Sequence, residues 1–97
     1  MYAITETEQT CNMDYEFADG SYFIGNVNLG IYWDGDWKLQ WAEGILADAE
    51  DNQIQFNSSS EVCQTVIRKL NDEIAFRRRA TDWAEAALQE HKEEMFY

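Results

Sequence analysis

From Met13 to Trp41 the large apolar residues keep to odd positions: Met13, Tyr15, Phe17, Phe23, Val27, Leu29, Ile31, Trp33, Trp37, Leu39 and Trp41. Asp14, Glu16, Asn26, Asn28, Lys38 and Gln40 hold even positions between them. A period of two marks strands with one buried and one wet face. Ala18-Asp19-Gly20 and Asp34-Gly35-Asp36 read as tight connections that preserve this parity, the first with glycine where a left-handed residue is wanted. The second loop predicts Trp33 opposite Trp37, Ile31 opposite Leu39 and Leu29 opposite Trp41, with the tryptophans mostly in the core. Tyr22, Ile24 and Tyr32 interrupt the polar face, and Gly25 and Gly30 predict bends in the long middle strand. Beyond Trp41, Ile45 to Ala49 reads as a fourth strand, Asp51-Asn52 as a turn and Gln53 to Phe56 as a fifth. A short helix over Trp41 to Glu50 competes, with Gly44 against it.

After residue 57 the period changes. Ser58 and Glu61 form a capping-box pattern ahead of Val62, Val66, Ile67, Leu70 and Ile74, an apolar stripe at helical spacing. This helix is predicted to reach about Phe76, where Arg77-Arg78-Arg79 interrupts it. Thr81 then caps a second helix from Asp82 to Met95 with Trp83, Ala84, Ala87 and Leu88 on its apolar face; one long bent helix is the alternative. A chain of 97 residues has room for one domain. One apolar sheet face and one apolar helix stripe must cover each other. The expected fold is therefore α+β: an antiparallel β-meander of three to five strands over about 12–56, packed on one face by one or two C-terminal helices over about 58–96.

Little in the chain supports catalysis. Cys11 and Cys63 are expected to be free thiols, and His91, the single histidine, to be a solvated helix residue. No nucleophile has a base close in sequence, and no glycine-rich loop cradles phosphate. Asp48, Glu50 and Asn52 alternate like calcium-loop ligands but lack the glycine and the closing glutamate of such a loop. The expectation is a protein that is not an enzyme and holds no cofactor or metal. No run of apolar residues is long enough for a membrane-spanning helix. Met1 to Thr10 lacks the basic flank and apolar run of an export signal, so the expected location is cytoplasmic.

Charge is the strongest functional signal. The net charge is −12, which argues against direct binding to nucleic acid or an anionic membrane. Residues 1–56 hold 11 acids against the single base Lys38. A domain of this length is expected to be roughly 30 Å across, a span over which duplex DNA presents about 18 phosphates. The acids Asp14, Glu16, Asp19, Asp34, Asp36, Glu43, Asp48, Glu50 and Asp51, with Tyr22 and Tyr32 on the wet face, are the candidate partner-binding residues. Fixed on a sheet and its turns, they could occupy a basic groove that normally takes DNA or RNA.

In size, charge and layout the chain resembles the small acidic inhibitors encoded by phages, of the anti-CRISPR and DNA-mimic type. The resemblance implies a non-enzymatic protein in the host bacterial cytoplasm that binds a basic nucleic-acid-binding protein, such as a CRISPR–Cas effector subunit, and occludes its nucleic-acid site. Arg77–Arg79 departs from this pattern, so only the sheet half would mimic a backbone. Those arginines are expected to pair with the protein's own acids or with a neighbouring acidic subunit. The alternative reading is a general interaction module, an antitoxin or assembly factor, that uses its C-terminal helices. Met95-Phe96-Tyr97 would then either dock on the core or form part of a homodimer seam.

Overall fold

The computed structural model describes residues 5–95. Strands β1 (Thr7–Glu16), β2 (Tyr22–Ile31), β3 (Trp37–Ala47) and β4 (Gln53–Phe56) form one antiparallel sheet in chain order, followed by helices α1 (Glu61–Asn71) and α2 (Ile74–Met95). This is the α+β meander expected from the alternation. Both helices lie on one face of the sheet, α1 chiefly over β3 and α2 over β1 and β2. Phe23, Val27, Leu29 and Ile31 from β2 meet Val66 and Leu70 from α1 and Phe76, Ala80 and Ala84 from α2 in a solvent-free core.

The first hairpin turns at Ala18-Asp19-Gly20, as the glycine indicated. Phe17 N–H donates to Ser21 O at 2.8 Å, and Gly20 adopts φ 88°. The second hairpin departs from its predicted register. Tyr32 N–H closes it onto Asp36 O at 2.8 Å, so Trp33 lies in the turn, and Ile31 pairs with Trp37 and Leu29 with Leu39. Asn28 then pairs with Trp41, which leaves Gln40 as the extra residue of a bulge. The bulge reverses the parity of β3, so Ala42 sits opposite Val27 and Leu46 opposite Phe23. The tryptophans are consequently less buried than predicted: Trp33 is 50% exposed, and Trp37 and Trp41 are half-buried against the core.

β3 also continues through Ile45 to Ala47, so neither a separate fourth strand at 45–49 nor a helix over 41–50 forms. Its pairing with β2 passes through Gly25 opposite Gly44. A Cβ on Gly25 would lie 2.0 Å from Glu43 O and one on Gly44 2.2 Å from Ile24 O. The middle strand needs glycine here for close backbone approach, and it stays continuous for 10 residues.

The helix boundaries shift as well. Ser60, not Ser58, caps α1 by accepting from Val62 N–H at 3.2 Å. α1 ends at Asn71, five residues before the predicted limit, and α2 starts at Ile74 and runs through the three arginines. Ile74 is thus 70% exposed and does not extend the buried stripe of α1. Thr81 lies inside α2, where its hydroxyl donates to Arg77 O at 2.9 Å and accepts from Trp37 Nε1–H at 3.0 Å. Alanines at 80 and 84 leave no bulk between α2 and the sheet.

The molecule measures 50 × 25 × 25 Å, longer and narrower than the roughly 30 Å body expected from chain length. Met95 is 55% exposed, and Phe96 and Tyr97 lie outside the described residues. No described helix is long and apolar enough to cross a membrane.

Candidate protein-binding face

The sheet face turned away from the helices is built in rows by strand register. One row runs Glu16, Tyr22, Ala47, Gln53 and the next runs Asp14, Ile24, Ile45, Gln55. A third joins Asn12, Asn26 and Glu43, with Asn12 Nδ2–H donating to Asn26 Oδ1 at 3.1 Å. Asp14 and Glu16 on the edge strand are exposed, while Tyr22 and Ile45 are half-buried and Ile24 is 46% exposed. The centre of this half is therefore apolar, its β1 margin is acidic and its β4 margin is the neutral pair Gln53 and Gln55. Asp14, Glu16, Tyr22 and Ile24 line an open depression between β1 and β2.

Hydrogen bonds hold Tyr22 in place. Its hydroxyl donates to Asp51 Oδ1 and accepts from Gln53 Nε2–H at 2.9 Å. The Asp51 carboxylate pushes the phenol above its ordinary pKa, so the tyrosine remains a neutral donor. Asp51 can hold this position because it adopts φ 66° in the β3–β4 turn.

The predicted acids do not form one continuous array. Glu16 and Asp51 adjoin Tyr22, Asp14 lies in the next row and Glu43 in the row after that, with Glu50 in the adjoining turn. Asp34, Asp36 and Tyr32 sit at the β2–β3 turn, the opposite end of strands that span roughly 30 Å. Between the two ends lies an amide network with one acid in it: Gln40 Nε2–H donates to Asn28 Oδ1 at 2.6 Å and to Glu8 Oε2 at 3.2 Å, and Asn28 Nδ2–H donates to Thr10 Oγ1 at 3.0 Å. The far end also holds cations: Lys38 lies 6.0 Å from the Tyr32 ring centre and Lys92 4.3 Å from that of Trp33.

Two further predicted acids are engaged within the fold. Asp19 accepts from Lys69 Nζ–H at 2.9 Å and from the Ser21 hydroxyl and backbone N–H, with Ser21 and Lys69 holding its carboxyl far below the ordinary range. Asp48 accepts from Asn52 Nδ2–H and from the backbone N–H groups of Asn52 and Glu50, all at 2.9 Å, and its pKa is lowered chiefly by Asn52. Both carboxylates organise turns, each accepting three hydrogen bonds within the fold while its side chain stays exposed. Ile24 and Ile45 are the contributors that a charge-based reading of the sequence passes over. Ile24 did signal itself, as an apolar residue on the polar parity.

The remaining reactive groups have structural surroundings. Cys63 is buried, with Sγ accepting from Ala42 N–H at 3.3 Å, and burial pushes the Cys11 thiol up. His91 is not simply solvated: Nε2 lies 3.1 Å from Glu6 Oε1, with both side chains partly buried. Burial and the Glu73 carboxylate 3.1 Å away raise the pKa of Tyr15. Among the described residues no three potential metal ligands converge. The ion pairs found among them are Lys69–Asp19 and His91–Glu6, so Arg77, Arg78 and Arg79 do not form the internal salt bridges expected of them. Arg79 instead lies 6.0 Å from the Trp83 ring centre.

Comparison with protein-family models, with curated proteins and with solved structures finds no match for the chain.

Proposed function

We propose that this protein is a non-enzymatic inhibitor that binds a basic nucleic-acid-binding protein and occludes its DNA or RNA site. A CRISPR–Cas effector subunit is the target class that its resemblance to small acidic phage inhibitors implies. The observation that carries the reading is the near half of the open sheet face. There Glu16 and Asp14 on β1 lie opposite Tyr22 and Ile24, Asp51 bonds Tyr22 and Glu43 stands one row beyond Ile24, and β1, β2 and β4 contain no lysine or arginine. Such a face attracts a basic groove over long range and presents an apolar centre for short-range packing. Backbone hydrogen bonding fixes the strands that carry these carboxylates, so little backbone order is lost on docking.

The test is capture from bacterial lysate on the immobilised protein at low salt, elution with a salt gradient, and identification of what elutes. The expected result is a basic nucleic-acid-binding protein, released by moderate salt, whose nucleic-acid binding the free chain abolishes. A captured protein that still binds its nucleic acid at saturating inhibitor would contradict occlusion.

A second reading, an interaction module of the antitoxin or assembly-factor type, draws on one observation. The first turns of α2 expose Ile74 beside Arg77 and Arg78, none of which packs into the core. Ile74→Asp would weaken partner capture under that reading and leave it unchanged under occlusion.

A further inference from the structure

The two edges of the sheet are defended very differently. β1 presents Glu8, Asp14 and Glu16, charges that oppose pairing with another copy of a strongly acidic chain. β4 presents none, because Asn52 to Ser60 is free of charge, and it has no proline or bulge either. Its backbone polarity follows from the turn. Asp48 N–H donates to Asn52 O at 3.1 Å, so hydrogen-bonded pairs with β3 recur at Leu46–Ile54 and Gly44–Phe56. The N–H and C=O groups of Gln53 and Gln55 consequently point away from the sheet. Between them Ile54, on the helix side, is 54% exposed. It borders a groove lined by Leu46 from β3 and Thr65 and Lys69 from α1, with the Lys69-paired Asp19 and the turn residue Asp48 also lining it, because α1 sits over β3 and stops short of the edge.

We propose that β4 is a self-association edge and that its occupant is β4 of a second copy, antiparallel about a two-fold axis at Ile54. In this register Gln53 of each chain exchanges backbone hydrogen bonds with Gln55 of the other, and all outward groups of both residues are satisfied. Ile54 meets its own copy as a non-hydrogen-bonded pair, the closer of the two kinds, and each closes the other's groove. Charge selects this partner surface. Two copies of net charge −12 repel, and the neutral edge is the place where their backbones meet without bringing carboxylates together. The pairing is isologous and closes at two. It joins the sheets into eight strands with both open faces on one side, so the near-end acids of two chains form one doubled array. Four residues per strand make a contact smaller than the roughly 1,200 Å² of stable complexes, so the dimer forms and dissociates with concentration. The inference uses the sheet edge and stands whether or not the face binds a basic partner.

Sedimentation of the full chain from low micromolar to millimolar concentration at physiological salt tests this. The expected mass rises from 11.4 kDa toward twice that value. Ile54→Lys, at an exposed site, should stay monomeric with an unchanged circular dichroism spectrum. Gln55→Pro, which removes an N–H that the monomer does not use, should do the same. Under mild oxidant Ile54→Cys should give a covalent dimer, since facing non-hydrogen-bonded pairs fall within disulfide reach. Wild type and Gln53→Cys should not. A wild-type protein that remains monomeric throughout, a dimer that Ile54→Lys leaves intact, or equal crosslinking of the two cysteine variants would overturn the proposal.

Discussion

At the scale of single residues, the same chemical group plays opposite parts according to its hydrogen bonds. Asp51 lends its carboxylate to Tyr22 on the open face, whereas Asp19 and Asp48 bond chiefly within their own turns. The Asp19 carboxyl is held below its ordinary value, so its contribution to stability is complete above about pH 4 and fades as pH falls further toward the depressed value. Asp19→Asn should therefore melt below wild type at neutral pH, and the gap should close in acid. Thermal melts across that range check it, and a gap that widens on acidification would contradict the assignment. The glycine pair makes a sharper demand. Gly44 has φ 143° and lies against the Ile24 and Gly25 backbone, so Gly44→Ala combines strain with overlap. It should cost about 3 kcal/mol by the scale of overpacked cores, read from the urea midpoint.

At the scale of elements, Phe76 ties the helices to the sheet. It is fully buried, with Tyr15, Trp37 and Trp83 rings against it at 6.1 to 6.4 Å between centres. Phe76→Ala should destabilise the fold by about 4 kcal/mol. Equilibrium unfolding measures this, and a loss below about 1 kcal/mol, the range of surface changes, would mean that the helices do not depend on this contact. The elements themselves were legible in the sequence because alternation from Met13 to Leu39 and the stripe Val62-Val66-Leu70 record which face is buried. β1 starts before its apolar pattern because Thr7 to Thr10 pair through backbone and contribute no core side chain. The register of β3 was hidden, since a bulge at Gln40 inserts a residue without any compositional mark. The helix break was misplaced for a related reason. Arginines suit a helix surface as well as a loop, whereas the real interruption, Asp72-Glu73, bonds its N–H groups back to Lys69 and Leu70.

At the scale of the whole molecule, the length of the sheet decides which acids act together. Charge counting identifies an acidic half but cannot show that Asp34 and Asp36 stand at the far end of a 50 Å body beside Lys38 and Lys92, or that Ile24 and Ile45 lie among the near-end acids. Combined reversal of Asp14, Glu16 and Glu43 to lysine should weaken partner binding by at least about tenfold, or ~1.4 kcal/mol, and flatten its salt dependence. Reversal of Asp34 and Asp36 should have a smaller effect. All five side chains face solvent wholly or in part, so neither set should disturb the fold. The most direct measurement is displacement of labelled nucleic acid from the captured basic protein by wild type, the near-end triple variant and the far-end double variant. The account predicts displacement by wild type and by the far-end variant, and none by the near-end variant at the same concentration. Equal displacement by all three would show that the acidic face round Tyr22 is not the inhibitory surface.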